Sequence, residues 1–129
     1  MKIQLRYGLP FITGTISFRG KTLLLTHMLL DSGSEGTVLS ADKLTEIGVV
    51  LGYADQMRQI HGVGGSEFVF IRTVDALSVE DFGVTNFVIE VGAVDYGFEI
   101  DGIIGMNFLQ KVGAIVDFDR MEIHAAKMV

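Results

Sequence analysis

Short apolar runs punctuated by glycine constrain this sequence more than any other feature. Valine, isoleucine, threonine and phenylalanine recur in runs that end at Gly, Asn or Asp, a pattern typical of strands joined by tight turns. Sixteen glycines among 129 residues is about 12%, against an average near 7%. Since 49% of the residues are hydrophobic, the chain can fill a core, and its length suits one domain over residues 1–129. The expected fold class is all-β.

Six strands and two helices are predicted from the same pattern. Arg19-Gly20-Lys21 predicts a hairpin turn between the first two strands, because glycine adopts a positive φ easily. Ser40 offers an N-cap oxygen, and Gly48 can end the helix that follows. The predicted strands are Tyr7–Phe18, Thr22–Leu30, Phe68–Val79, Thr85–Val91, Ile115–Phe118 and Met121–His124, and the predicted helices are Ser40–Gly48 and Gly105–Val112.

Composition excludes several classes of function. Ten basic and sixteen acidic residues give a formal charge of −6, with no tryptophan and no basic run, which argues against nucleic acid as a partner. The sequence has no cysteine, so a disulfide scaffold, a thiolate metal site and a cysteine nucleophile are excluded. The longest apolar run, Thr22–Leu30, is much shorter than the roughly 20 residues that span a bilayer. With no targeting segment recognised, we expect a cytoplasmic location.

Asp31-Ser32-Gly33 is the most informative segment, because it directly follows the apolar run that ends at Leu30. A carboxylate acting as a general base needs hydrogen-bond donors to orient it. The Ser32 hydroxyl and the amides of a turn permitted by Gly33 can supply them. The same residue types also form ordinary turns, so this motif alone does not establish a site.

A second segment, Ile103-Ile104-Gly105, strengthens the interpretation, because two β-branched residues and a glycine precede a predicted helix. Together with Asp31-Ser32-Gly33, it resembles the retropepsin-like aspartic protease family. In that family a DSG or DTG loop follows one core strand, and a hydrophobic-hydrophobic-Gly strand lies beside it. The separation of 105 − 31 = 74 residues is of the right order for a single-lobed member, and residues 101–123 look especially like bacterial single-domain members.

The resemblance implies a closed antiparallel β barrel with one or two short helices. It implies that Asp31 is catalytic, that Ser32 and Gly33 support the loop, and that Ile103-Ile104-Gly105 supports it from the neighbouring strand. The glycine-rich segment between the motifs would be the flap that closes over a bound peptide. A phosphate-binding loop fits this segment less well, since no lysine follows it, and a hairpin without function is the remaining alternative. The flap residues would be Ile60, His61, Gly62, Val63, Gly64 and Gly65.

A count of carboxylates implies a homodimer. Aspartic protease chemistry uses two carboxylates around one water, whereas this chain has one Asp-Ser-Gly motif. Two subunits would therefore each contribute Asp31 across a two-fold axis, and the terminal segments Met1–Tyr7 and Met121–Met128 would add an intersubunit sheet. The expected function is an aspartic endopeptidase acting on polypeptides, with no cofactor and no metal.

Other functions stay open at this point. The same dimer could be catalytically inactive and serve as a peptide-binding or assembly module, or the chain could be a small β-barrel ligand binder. A Ser-His-Asp triad using Ser32, Ser34 or Ser40 is compatible with the sequence order, although no G-x-S-x-G elbow supports it. Asp101 is a rival carboxylate, but we assign Asp101-Gly102 to a turn that enters the next strand.

Overall fold

The chain folds mainly into β-strands, with two short helices. The computed structural model describes residues 2–62 and 65–125, and only the backbone of residues 62 and 65–67. The strands are β1 (Gln4–Arg6), β2 (Leu9–Phe18), β3 (Lys21–Leu30), β4 (Val38–Ser40), β5 (Met57–Gly62), β6 (Gly65–Val79), β7 (Phe82–Gly92), β8 (Gly102–Ile104), β9 (Ile115–Asp117) and β10 (Glu122–His124). The helices are α1 (Ala41–Leu44), which continues as a 3-10 helix (Thr45–Ile47), and α2 (Met106–Val112).

Two-residue turns with left-handed backbone join the first strands. Arg19 and Gly20 have φ values of 48° and 80° between β2 and β3, a geometry whose twist suits a hairpin. The turn predicted here is therefore confirmed. Tyr7 and Gly8 form a second such turn, with φ values of 56° and 74°. Because of this turn, β2 begins at Leu9 rather than at Tyr7 as the sequence predicts.

Helix ends follow the predicted capping residues. The Ser40 hydroxyl accepts a hydrogen bond from the Lys43 amide (3.4 Å) at the start of α1. Gly48 closes the 3-10 helix with a φ of 83°, so the predicted helical segment is confirmed as two short consecutive helices. Gly113, with a φ of 65°, ends α2 in the same way, because glycine adopts this conformation without a steric penalty.

Eight strands form one sheet, in the order β1-β2-β3-β8-β4-β7-β6-β5. Strand β6 also pairs with β2, with Ile16 opposite Leu77. The six strands β2-β3-β8-β4-β7-β6 therefore form a ring. The pairs β3–β8 and β4–β7 are parallel, whereas the sequence predicts an antiparallel sheet. The reason is a crossover: β8 returns beside β3 in the same direction, which brings the ends of the two strands together.

One face of the sheet encloses the main core, where Leu25, Met28, Ile104 and Phe108 are fully buried. Residues of the opposite face alternate with these along each strand. On that opposite face, one residue from each of the six strands is paired in register with a residue of the next strand. We call this row of six residues the second-face row. It comprises Phe11, Leu29, Ile103, Val38, Glu90 and Ile71.

The amino-terminal segment pairs within its own chain. The Ile3 amide donates to the Met121 carbonyl (2.8 Å). Lys2 forms an isolated backbone β-bridge with Glu122 of β10. The predicted intersubunit sheet thus uses segments that already contact each other here, and its outermost residues, Met1 and 126–128, lie outside the described residues. Within residues 2–62 and 65–125, none of the helices has the length and apolar character needed to cross a membrane.

Candidate active site

Asp31 lies at the end of β3, in a turn that holds its carboxylate in place. Its amide donates to the Ile104 carbonyl (3.0 Å), and its carbonyl accepts from the Ser34 amide (3.1 Å). Its Oδ1 accepts a hydrogen bond from the Gly33 amide (3.0 Å). The side chain is half-buried, and it follows the core-facing Leu30, so strand alternation leaves it on the face of the second-face row. The carboxylate is therefore oriented by its own loop and accessible from that face.

The loop from Asp31 to Thr37, here called the Asp31 loop, is joined to the start of α2. The Met106 amide donates to the Ser34 carbonyl (2.8 Å), and the Asn107 amide donates to the Glu35 carbonyl (3.0 Å). A side chain at Gly105 would overlap the Gly36 backbone, so this approach requires glycine. The structure thus places Ile103-Ile104-Gly105, to which the resemblance assigns a supporting role, against the Asp31 loop.

Thr37 and Asn107 add a side-chain link that sequence reasoning missed. Thr37 is 1% exposed, and its hydroxyl donates to Asn107 Oδ1 (2.8 Å). The same hydroxyl accepts from the Gly105 amide (3.2 Å). Because a buried hydroxyl needs hydrogen-bond partners, this link fixes the end of the Asp31 loop to β8 and α2. The available signal was Asn107, a polar residue two positions after Ile103-Ile104-Gly105.

The predicted flap corresponds to the hairpin of β5 and β6, which we call the β5–β6 hairpin. Its register places Ile60 opposite Glu67 and Gly62 opposite Gly65. Ile60 is half-buried and His61 is exposed. Val63 and Gly64, the remaining predicted flap residues before Gly65, lie outside the described residues. Strand β5 is the last strand of the sheet, so the hairpin projects from its edge.

Arg72 on β6 fastens the base of this hairpin. Its guanidinium donates to both carboxylate oxygens of Asp55, to Oδ1 at 3.2 Å and to Oδ2 at 2.5 Å, and to the Val50 carbonyl (2.8 Å). The Gly52 amide also donates to Asp55 Oδ2 (2.6 Å). Hydrogen bonds from Arg72 and then from Gly52 hold the pKa of Asp55 below its ordinary value. The segment before β5 is therefore tied to β6 through one carboxylate.

Glu90 on β7 is a buried carboxylate that the sequence reasoning did not single out. The residue is 8% exposed, and its Oε1 lies 3.8 Å from Arg58 Nη1 on β5. A side chain at Gly36 would overlap Oε1, so Glu90 contacts the Asp31 loop. Burial raises the pKa of Glu90, an effect opposed by Arg58 and reinforced by Glu35. One charged residue inside the apolar run that ends at Gly92 was the signal in the sequence.

A shallow apolar groove of about 580 Å³ opens beside Ser32 of the Asp31 loop. Ser32 forms one edge of it, and residues of α2 and β9 form the rest. Met106 on its wall is 40% exposed. The lining residues are Ser32, Met106, Leu109, Gln110, Gly113, Ala114 and Val116.

The rival groups of the sequence analysis have other roles. The Ser34 hydroxyl donates to the Gly36 carbonyl (2.8 Å), and the Ser40 hydroxyl caps α1, so neither supports a triad. Asp101 is 2% exposed, and its Oδ2 accepts a hydrogen bond from the His27 amide on β3 (3.0 Å). We therefore assign Asp101 a structural role. Among the described residues, no group of three or more His, Asp or Glu side chains could hold a metal ion.

Comparison with known protein families gives a match that covers most of the chain. A family model described as aspartyl protease matches residues 12–108, a span that includes the Asp31 loop, the β5–β6 hairpin and β8. No curated protein sequence matches the chain significantly.

Proposed function

The chain belongs to the aspartyl protease family, and on that premise we propose that it is a homodimeric aspartic endopeptidase of the retropepsin type. The observation that carries this proposal is the Asp31 loop. Its carboxylate is held by the Gly33 amide (3.0 Å) and its backbone by the Ile104 carbonyl (3.0 Å). An oriented and accessible carboxylate is what a water-activating base requires.

The proposed reaction uses the two Asp31 carboxyl groups of a dimer as one acid–base pair. Two carboxylates this close do not both ionise readily, so they share one proton, as is general for aspartic proteases. The ionised member takes a proton from water, whose oxygen bonds to the scissile carbonyl carbon, while the protonated member gives its proton to the carbonyl oxygen. As the C–N bond of the tetrahedral diol breaks, one diol hydroxyl gives its proton to the ionised carboxylate and the protonated carboxyl gives its proton to the leaving nitrogen, so the pair again holds one proton. A carboxylic acid and an amine are released.

A second subunit is required because the sequence holds one Asp-Ser-Gly motif. The apolar groove beside Ser32 supports its placement, since a partner covering this groove would bring its own Asp31 loop close to the first. Ile115 and Phe118, 66% and 63% exposed, extend the apolar surface along the β9–β10 hairpin. Exposed apolar patches of this kind are typical of protein interfaces.

Two further parts of the proposal concern access and shape. We assign the β5–β6 hairpin as the flap over the substrate, with Ile60, His61 and the glycines that follow them at its outer end. We also propose that the ring of six strands closes as a barrel within a single domain. The pairing of β6 with β2 supports this closure.

A mixing experiment tests the dimeric active site. The unmodified chain is expected to cleave unstructured polypeptides at acidic pH, and a statine-type mimic of the diol should inhibit it. When it is mixed in equal amounts with Asp31→Asn and allowed to exchange subunits, activity per total chain should fall to about a quarter, because only dimers with two carboxylates are active. A fall to one half would instead mean that each chain works alone.

Two other outcomes would change the proposal. If sedimentation equilibrium finds monomers at every concentration and pH, the two-subunit mechanism is wrong. If the protein dimerises but cleaves no peptide of a broad library at any pH, it is a peptide-binding or assembly module.

A further inference from the structure

Glu90 is the one charged residue in the second-face row, which is otherwise apolar. Its register partners are Val38 on β4 and Ile71 on β6. Charged side chains are rarely buried unless they are paired. A carboxylate at this place therefore needs an explanation beyond packing.

The two oxygens of Glu90 have different surroundings. Oε1 lies against Gly36 of the Asp31 loop and 3.8 Å from Arg58 Nη1, a distance that allows charge attraction but exceeds a normal hydrogen bond. Oε2 is buried and has no hydrogen-bond partner in the described part of the structure. A carboxylate oxygen binds a cationic donor more strongly than a neutral one, so Oε1, the oxygen that faces the half-exposed Arg58, is an acceptor suited to a positively charged group.

The position of Glu90 is that of a group which meets a substrate. On one side it contacts the loop that carries Asp31, and on the other it faces Arg58 on β5 of the hairpin. A peptide held between the Asp31 loop and the β5–β6 hairpin would pass this carboxylate. Arg58 is 47% exposed in its side chain, so it can yield to a competing cation without leaving solvent.

Negative charge around the site favours a cation further. Glu35 in the Asp31 loop acts on Glu90 with the same sign of charge, and the whole chain carries a formal charge of −6. Such a field raises the local concentration of cationic groups and opposes anionic ones.

We propose that Glu90 is a specificity-determining residue that selects polypeptides with a lysine or arginine side chain near the cleaved bond. The cationic side chain takes the place of Arg58 beside Oε1 and so competes with Arg58 for the carboxylate. This inference rests on the proposed endopeptidase function, because it assigns a subsite of the same cleft.

Matched peptides provide the test. A peptide library cleaved by the unmodified protein and read by mass spectrometry locates the cut bond, and pairs are then made with lysine or uncharged norleucine at each position within three residues of it. At one position the lysine peptide should have a kcat/KM about tenfold higher. Glu90→Gln should bring the pair to within about twofold, while cleavage of the norleucine peptide is retained.

Two variants keep the interpretation specific. Glu46→Gln makes the same change in net charge on the exposed 3-10 helix, and it should preserve the preference for lysine. Arg58→Gln removes the arginine that competes with the substrate for Glu90, so it should increase the preference for lysine. This variant also provides a test of the proposal if Glu90→Gln fails to fold. Equal cleavage of both peptides by the unmodified protein would overturn the specificity while leaving the peptidase intact.

Binding separates the two proposals if nothing is cleaved. In that case the endopeptidase proposal fails, and the lysine and norleucine peptides are compared by their Kd for the unmodified protein. Tighter binding of lysine peptides, lost in Glu90→Gln, would support the recognition site. Equal Kd values would overturn it.

Discussion

The Asp31 loop and the β5–β6 hairpin both lie against Glu90 of the second-face row, but they are held in different ways. The Asp31 loop is bonded to β8 and α2 through backbone groups at Asp31, Ser34 and Glu35 and through the buried Thr37 hydroxyl. In the hairpin, β6 is paired with β7 and β2, whereas β5 is the edge strand and its described residues pair with β6 alone. Side chains supply the further ties on the β5 side, from Asp55 to Arg72 at the base and from Arg58 to Glu90 midway.

These two ways of holding a segment suit two different requirements of a peptidase. A reacting carboxylate must keep one geometry, which buried backbone hydrogen bonds provide. A cover must open and close, and edge strands joined by a few side chains are suited to that because their local stability is low. The ties on the β5 side of the hairpin use charged side chains, whereas the hydrogen bonds that join the Asp31 loop to β8 and α2 use neutral groups.

The largest expected effect comes from Asp31→Asn. An amide cannot take a proton from water, yet it has the shape of the carboxylate, so cleavage should fall at least about 100-fold. Peptide turnover measures the loss of cleavage, and thermal unfolding measures the stability of the variant. The Tm should stay nearly unchanged, and full activity in the variant would contradict the assignment of Asp31.

Thr37→Val tests whether the Asp31 loop depends on its buried link. The substitution keeps the side-chain shape but leaves the Gly105 amide and Asn107 without the hydroxyl, so the free energy of unfolding should drop by about 1–3 kcal/mol. Denaturant titration measures it. Thr22→Val, at an exposed position of β3, is the control and should change stability by less than about 0.5 kcal/mol.

Asp55→Asn tests the base of the hairpin through its pH dependence. Because the folded pKa of Asp55 is lowered, its stabilisation is present above the unfolded value and is lost as pH falls through the folded pKa. The variant should therefore have a lower Tm than the unmodified protein at pH 7 and nearly the same Tm at the most acidic pH that permits folding. Asp75→Asn makes the same change in net charge at an exposed position of β6, and it should lower the Tm at pH 7 by less than Asp55→Asn does.

Of the stability changes predicted here, the one expected from Glu90→Gln is the smallest. It should raise the Tm at pH 7, whereas Asp55→Asn should lower it. Because burial raises the folded pKa of Glu90, the stabilisation it offers is present below the unfolded value and is lost as pH rises through the folded pKa. Removing the charge should raise the Tm slightly at pH 7 and leave it unchanged near pH 4. A lower Tm at pH 7 would mean that the Arg58 pair outweighs the burial of the charge.

Local signals in the sequence predicted much of the fold. The turn at Arg19-Gly20 and the helix caps at Ser40 and Gly48 depend on neighbouring residues alone, which is why pattern and residue type identified them. The strand Val38–Ser40 was missed because three residues are too few to show a period. The parallel pairing of β3 with β8 was also missed, since it is set by the crossover between them rather than by either strand.

The candidate site was predictable only in part, for a similar reason. Asp31 and the Ile103-Ile104-Gly105 segment each form a recognisable motif. The bond between Thr37 and Asn107 joins residues separated by 70 positions, and the burial of Glu90 arises from strands on both sides of it. Such contacts exist only after the ring of strands has formed.

Gly36 carries a consequence for how the molecule tolerates mutation. A larger residue at 36 would meet Glu90, the end of a flexible side chain, whereas a larger residue at 105 would meet the backbone of 34 and 36. A change at 36 can therefore be rescued by shortening residue 90, and a change at 105 has no such remedy. In a genetic screen, position 36 should yield second-site suppressors at 90, and position 105 should accept glycine alone.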